Sequence, residues 1–164
     1  MLDLKFMQKM SLKTRKAYVD HIFYKGKDAF GRPFKAYSRN KTKWASILAR
    51  KAERAKIPKE GISYGDAKKM GILQRQRAEF ANTTSPVLTG DLLRDTKSFA
   101  TATSFGIRFA KDGHKVKYLN EMKREMSSEN QPFPKKILKT IEQDVGKEIS
   151  KQFKNKTTKI TLGK

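Results

Sequence analysis

Residues 105–118 read FGIRFAKDGHKVKY, and this stretch decides the fold class. Large apolar residues at 105, 107 and 109 alternate with small or charged ones, which is the two-residue period of a half-buried strand. Lys111–His114 contains Asp-Gly, a strong signal for a tight turn between alternating runs. Val116 and Tyr118 then alternate with lysines, so the stretch predicts a β-hairpin. The Thr- and Ala-rich residues 97–103 predict a third strand beside it.

Helical periodicity is strongest at the two ends of the chain. The apolar residues of 4–23 fall within an arc of about 160° on a helical wheel, and Gly26 supplies the usual glycine stop. Pro134 is suited to the first turn of a helix. The apolar residues after it, which recur at helical spacing to Phe153, predict a long amphipathic C-terminal helix.

Two further helices are predicted in the first half of the chain. In residues 41–56 one face carries Trp44, Ile47, Leu48 and Ala55, and Pro58 ends the helix. A weaker pattern predicts a helix over residues 65–80. Leu92 and Leu93 begin a short helical segment that leads into the strands.

These elements predict an α+β fold, with helices packed on a small antiparallel β-sheet and a long C-terminal helix. A length of 164 residues fits one domain. We expect a single domain over 1–153, with loops at 25–40 and 57–64. Residues 154–164 predict a basic, flexible tail.

Composition excludes several kinds of site. The chain has no Cys, which excludes disulfides, thiol nucleophiles and thiolate metal sites. Only two His residues are present, so a multi-histidine metal site is excluded. No apolar run approaches the roughly 20 residues of a membrane helix, and the amino terminus lacks a signal-peptide apolar region. We therefore expect a soluble protein that is made inside the cell and has no membrane partner.

The charge balance of the chain predicts a binding partner. Lys and Arg number 38 against 16 Asp and Glu, so the net charge is +22. Such a charge favours disorder, but the 16 aromatic residues and the helical periodicity favour a packed core. Because self-repulsion destabilises a compact basic monomer, nucleic acid or an acidic protein surface is the expected partner.

No constellation for catalysis emerges from the sequence. His21 falls in the first helix and His114 in the predicted turn, and a structural or solvated role suits both. Asp91 and Asp95 share a helical face, but Arg94 beside them favours capping and surface pairing over metal binding. No phosphate-binding glycine loop is present. We expect no enzyme activity, no cofactor and no metal.

The loop at 25–40 mixes rings and cations. Phe30, Phe34 and Tyr37 are interleaved with Arg32, Lys35 and Arg39. Such a mixture can stack bases and pair phosphates. Equally, the rings can anchor the loop to the core while the cations stay in water, and the sequence leaves both alternatives open.

Three stretches, taken in order, carry a family resemblance. They are DAFGRPFKAYS at 28–38, SPVLTGDLLR at 85–94 and QPFPKKIL at 131–138. Their order resembles the virion morphogenesis or tail-completion proteins of tailed bacteriophages, which join head and tail at the neck. The third stretch departs from the family pattern, which usually has Arg between its two prolines.

The resemblance implies a structural role in the virion neck, after assembly in the host cytoplasm. It implies a homo-oligomeric ring, hexameric or dodecameric, between a portal, connector or head-closure protein and the tail-tube protein, with possible contact to packaged DNA. The rival interpretation is a basic, non-sequence-specific nucleic-acid-binding protein; a nuclease is a weaker rival, because no acidic metal cluster is evident. The candidate interface residues are Phe30, Arg32, Phe34, Tyr37, Trp44, Leu88 and Phe133. The cations expected to face DNA or an acidic partner are Lys35, Arg39, Lys41, Lys43, Arg50, Lys51 and Arg54.

Overall fold

The first helix is the element on which the β-hairpin and the C-terminal helix pack. In the computed structural model, which describes residues 2–37, 39–73, 86, 91–121, 123–128 and 130–155, α1 spans Leu4–Val19. One π-helical turn, Asp20–Tyr24, continues it, and Gly26 ends the run at a φ of +62°. Met10 and Tyr18 on its apolar face are buried. The predicted helix and its glycine stop are confirmed.

A β-hairpin packs against α1. β3 (Thr96–Ala100) pairs antiparallel with β4 (Phe105–Phe109), so that Thr96 lies opposite Phe109 and Ala100 opposite Phe105. The Arg15 side chain donates to the Thr96 carbonyl at 2.7 Å and ties α1 to β3. The predicted strand that starts at Phe105 is confirmed, and it pairs with β3. The strand predicted over 97–103 is confirmed only to Ala100, because residues 101–104 form the turn between the two strands.

The predicted hairpin at Asp-Gly is wrong, because α6 (Gly113–Glu121) follows β4. The Asp95 carboxylate accepts the backbone N–H groups of Lys111 and Asp112, both at 2.8 Å, and so turns the chain out of the sheet. Val116 is 8 % exposed and Tyr118 is 61 % exposed. Residues two apart share a face in a strand but lie on opposite faces of a helix. The burial of Val116 and the exposure of Tyr118 therefore fit a helix and not a strand.

The C-terminal helix, α7, spans Lys135–Asn155. Pro134 is buried immediately before it, and its carbonyl accepts the Ile137 N–H at 2.8 Å. Ile137 is buried, but Ile149 and Phe153 are 39 % and 75 % exposed, so the distal half of the predicted apolar face is uncovered. The helix includes the first two residues of the predicted tail, and residues 156–164 lie outside the described residues.

The predicted helix over 41–56 is divided. It consists of β1 (Lys41–Thr42), α2 (Lys43–Leu48) and α3 (Lys51–Arg54). The chain breaks between α2 and α3 because Ala49 bridges to Leu73 and the Arg50 N–H donates to the Ile72 carbonyl at 2.8 Å. Packing therefore selects a different face from the one predicted: Ala49 is fully buried, whereas Ile47 is 52 % exposed.

The predicted loop at 57–64 contains a strand and the start of a helix. β2 (Ile62–Ser63) pairs antiparallel with β1, and α4 (Tyr64–Lys69) follows it. The Ser63 hydroxyl accepts the Asp66 N–H at 3.0 Å and caps α4. The helix predicted over 65–80 therefore starts as expected and ends at Lys69, and residues 74–80 lie outside the described part of the chain.

Two apolar clusters hold the described residues together, and with two small antiparallel sheets they confirm the α+β class. α5 (Asp91–Asp95) leads into β3, as expected. The small core joins α2, α4 and the segment after α4; its buried members are Ala45, Ala49, Ala67, Ile72 and Leu73. The main core joins α1, the 25–40 loop, α5, α6 and α7; its buried members are Tyr18, Ile22, Phe23, Phe34, Leu92, Val116, Met126 and Ile137.

Candidate functional site

The aromatic and basic loop at 28–37 is organised by Asp28. Its side chain is buried, and Oδ1 accepts the backbone N–H groups of Phe30 at 2.9 Å and Arg32 at 2.8 Å. Oδ2 accepts from Arg32 Nε at 2.7 Å. An aspartate that bonds to backbone N–H groups further along the chain stabilises a tight turn, and Gly31 adopts a φ of +86° within it. This segment, residues 28–37, is called the Asp28 loop below.

The Asp28 loop docks on the segment that leads to α7. The Ala29 N–H donates to the Glu125 carbonyl at 2.8 Å, and Arg32 also pairs with the Glu125 carboxylate at 3.2 Å. Arg124 donates to the Lys35 carbonyl. These contacts tie the loop to Arg124 and Glu125 near both of its ends, so the loop is firmly packed against the rest of the molecule.

A cluster of one ring and two cations lies beneath the loop. The Arg124 guanidinium carbon lies 3.9 Å from the centre of the Tyr37 ring, and Lys68 Nζ lies 5.0 Å from it. Arg124 is 4 % exposed and Lys68 is fully buried. Contact between cations and the negative face of a ring offsets part of the cost of burying their charge. We call these three residues the Tyr37 cluster.

Burial shifts the titration of the Tyr37 cluster. It raises the pKa of Tyr37 to about 12, although the Arg124 charge opposes the shift. It lowers the pKa of Lys68 to about 7, and repulsion from Arg124 adds to the effect. Sequence reasoning missed both cations, because a lysine or arginine in a basic chain normally indicates a solvated face.

The predicted interface residues of the loop divide into surface and core. Phe30 is 46 % exposed, and the Arg32 guanidinium lies 4.9 Å from the centre of its ring. Phe34 is 3 % exposed and belongs to the main core. The interface prediction is therefore wrong for Phe34, because its ring packs inside the molecule. Tyr37 is half-buried and contacts the two cations of the cluster. Phe30 and Arg32 remain at the surface.

The other three interface predictions lie elsewhere. Phe133 is half-buried and packs edge-on against Tyr18, with 6.1 Å between the ring centres. Its ring therefore serves mainly in packing within the molecule. Trp44 lies in α2, and its side chain is outside what the structure describes. Leu88 lies in the undescribed residues 87–90.

All seven of the predicted cations are exposed. Arg54 has an intramolecular role, because it donates to the Ile47 carbonyl at 2.7 Å and the Ala49 carbonyl at 3.1 Å at the end of α2. Lys41 pairs with Glu60 at 3.0 Å. The remaining five form no ion pair with any other described residue, and we call them the free cations: Lys35, Arg39, Lys43, Arg50 and Lys51.

The acidic and histidine side chains have structural contacts. His21 Nε2 lies 3.0 Å from the Asp28 carbonyl, and Asp91 pairs with Arg94. Hydrogen bonds from the Asp112 and Lys111 backbone lower the pKa of Asp95. His114 is exposed near the start of α6, in place of the predicted turn.

The described residues form neither a candidate metal cluster nor a helix that could span a membrane. Among them, no group of three or more His, Asp or Glu side chains is placed to hold a metal ion. None of the helices they form is long and apolar enough to cross a membrane.

Comparison with known proteins returns no relative. No family model, no curated protein and no solved structure matches this chain.

The turn at Asp28 provides a first prediction. We expect Asp28→Ala to lower the free energy of unfolding by about 2 kcal/mol, because it removes a charged hydrogen bond and leaves two backbone donors without their acceptor. Asp28→Asn keeps one acceptor oxygen, so we expect it to cost about 1 kcal/mol. Urea denaturation measures both. Equal losses for the two variants would show that the backbone hydrogen bonds contribute nothing.

Proposed function

We propose that this chain is a structural subunit of the neck of a tailed bacteriophage, where it assembles as a ring between the connector and the tail tube. It acts by binding other proteins of the assembly, and its exposed cations favour a partner with an acidic surface. The basis is the set of three stretches that resemble tail-completion proteins.

One observation carries the proposal: the three stretches meet in the main core. Phe34 comes from the first stretch, Leu92 from the second and Ile137 from the third, and all three belong to the same buried cluster. The proposal requires the three stretches to lie together in the fold, and their shared core meets that requirement. Their convergence supports the interpretation that they are parts of one structural unit.

The surface supports an acidic partner. The five free cations add positive charge without a described intramolecular carboxylate, and Phe30 and Arg32 stand exposed at the tip of the Asp28 loop. Aromatic residues and arginine carry much of the binding energy of protein interfaces. We therefore assign the Asp28 loop to contacts between subunits and the free cations to an acidic ring surface or to packaged DNA.

Charge reversal tests the proposal. In the full chain, we expect Arg50→Glu with Lys51→Glu to weaken binding to the connector of the same phage at least tenfold, because complementary charge becomes repulsion. Lys147→Glu with Lys151→Glu, which reverses two exposed lysines of α7, is the matched control and should change binding less than threefold. Biolayer interferometry at several salt concentrations measures both variants.

The free cations also favour a second candidate, a basic protein that binds nucleic acid without sequence preference. If all five contact phosphates, the logarithm of the affinity for duplex DNA falls against the logarithm of salt concentration with a slope of about −4.5. Tight DNA binding with this slope, together with no binding to the connector, would replace the neck proposal with this one.

A further inference from the structure

The two apolar cores belong to two units of the fold. Among the described residues, the main core and the small core have no member in common. Each sheet also stays within one unit, because β1 pairs with β2 beside α2 and α4, whereas β3 pairs with β4 on α1. Parts of a protein that have separate cores can open separately. We call β1, β2, α2, α4 and the segment after α4 the small unit.

The Tyr37 cluster lies at the joint between the small unit and the rest of the chain. Lys68 belongs to α4, which contributes its neighbour Ala67 to the small core. Tyr37 and Arg124 belong to the other side, because Phe34 anchors the Asp28 loop in the main core and Arg124 bonds to the backbone of that loop. The contact of Lys68 Nζ with the Tyr37 ring, at 5.0 Å, therefore spans the joint.

Lys68 faces a like charge across this joint. Burial disfavours the charged form of Lys68, and repulsion from Arg124 adds to that effect. Tyr37 keeps its proton at neutral pH, since burial raises its pKa to about 12, so its hydroxyl supplies no negative charge to either cation. Closing the joint therefore buries two cations together, and opening it returns Lys68 to water, where its ammonium group is more stable.

The other titratable groups on and around α4 are exposed, hydrogen-bonded or neutral. Lys69 is exposed, and the Asp66 carboxylate accepts a hydrogen bond from the cap residue of the helix at 2.6 Å. Of the elements packed on α4, β2 has no titratable residue and α2 has the exposed Lys43. Burial and the nearby Tyr118 of α6 raise the pKa of Tyr64, which is therefore neutral below pH 10. Lys68 and Arg124 are thus the two described cations that are buried at the joint.

We propose that the Tyr37 cluster is a latch operated by a proton: protonation of Lys68 releases the small unit, which opens while the main core stays folded. The geometry that carries the proposal is the placement of two buried cations on one ring, where two separate cores meet. The proposal does not depend on the neck assignment.

The direction of the pH dependence follows from the two forms of Lys68. Its pKa is about 7 when the latch is closed and returns towards 10.5 when the lysine is hydrated. Between these values the open form binds more protons, so opening becomes more favourable as pH falls. The opening constant should rise about fiftyfold from pH 9 to pH 7, and less than about twofold from pH 7 to pH 6, because Lys68 is then charged in both forms.

Thiol labelling measures the opening of each unit, because the chain has no Cys of its own. Ala45→Cys places one thiol in the small core, and Val116→Cys places one in the main core. Rates with iodoacetamide at pH 6, 7, 8 and 9 are divided by the rates of the same variants unfolded in urea, which corrects for titration of the thiol. At pH 7 we expect Ala45→Cys to label at least about tenfold faster than Val116→Cys after this correction. Its corrected rate should fall about fiftyfold from pH 7 to pH 9.

Two lysine variants and the unmodified chain complete the test. In the Ala45→Cys background, Lys68→Met should make the corrected rate nearly independent of pH from 7 to 9, and Lys69→Met should keep the dependence. In the unmodified chain, hydrogen exchange follows the Arg50 N–H, which donates to the Ile72 carbonyl in the small core. Its protection against exchange should fall about fivefold from pH 8 to pH 7.

Three results would each overturn the proposal. The first is an equal corrected rate for the two thiols, which would show that the chain opens only as a whole. The second is an Ala45→Cys rate that keeps its pH dependence in Lys68→Met. The third is protection of the Arg50 N–H that does not change with pH in the unmodified chain.

Discussion

Replacing Phe34 by Ala is expected to lower the free energy of unfolding by about 3–5 kcal/mol, the usual cost of removing a buried phenylalanine ring. Phe34 is 3 % exposed, and it packs in the main core, to which α1, α5, α6 and α7 also contribute. The ring is therefore the main anchor of the Asp28 loop. Urea denaturation followed by circular dichroism measures the loss.

Phe30→Ala is the matched control in the same loop. Its ring is 46 % exposed, so we expect a loss below about 1 kcal/mol, which is the range of exposed cation–π contacts. If the loop contacts neighbouring subunits, Phe30→Ala should impair assembly while the subunit stays folded. Equal destabilisation by the two substitutions would contradict the division of the loop into a core ring and a surface ring.

The second large effect is a dependence of stability on pH that Lys68 imposes. Burial lowers its pKa from the ordinary value of 10.5 to about 7. Between these two values the unfolded chain binds more protons than the folded one, so the free energy of unfolding rises with pH. For a fully coupled single proton the rise is about 1.4 kcal/mol for each pH unit. Below about pH 7 the lysine is charged in both states, so its contribution no longer changes.

Tyr37 sets the upper end of this interval. Its pKa in the folded chain is about 12, above the ordinary value of 10.0, so the unfolded chain loses this proton first. Stability contributed by Tyr37 is therefore lost as pH rises above about 10. Together the two groups predict greatest stability near pH 10.

Lys68→Met separates this effect from general charge repulsion. We expect the variant to lose most of the rise between pH 7 and 10, because the titrating group is absent. Lys69→Met removes an exposed lysine from the next position of α4 and should keep the rise. Denaturation curves at four or five pH values measure how the free energy of unfolding of each variant changes with pH. An unchanged slope against pH in Lys68→Met would show that another group causes the rise.

The elements that the sequence predicts well are those with many repeats of one period. α1 and α7 show apolar residues at helical spacing over four or more turns, and β4 shows three alternations, so each pattern has one interpretation. Val116 and Tyr118 offer a single repeat, which fits a strand as well as a helix. There the Asp95 carboxylate, which captures two backbone N–H groups, decides the structure.

Burial of small or charged residues is the part that periodicity misses. Ala45 of α2 and Ala49, just after that helix, are buried in the small core, although the larger Ile47 of α2 indicated another face. The ring of Tyr37, which is distant from both in sequence, contacts the buried Arg124 and Lys68. Such contacts depend on the tertiary fold, so no local sequence pattern predicts them.

Negative-stain electron microscopy of the full chain mixed with the connector of the same phage tests the neck proposal most directly. We expect closed rings of six or twelve subunits seated on one end of the connector, and we expect Phe30→Ala to reduce the fraction of connectors that carry a ring. A chain that stays monomeric beside bare connectors, and that binds duplex DNA tightly under the same conditions, would contradict the proposal.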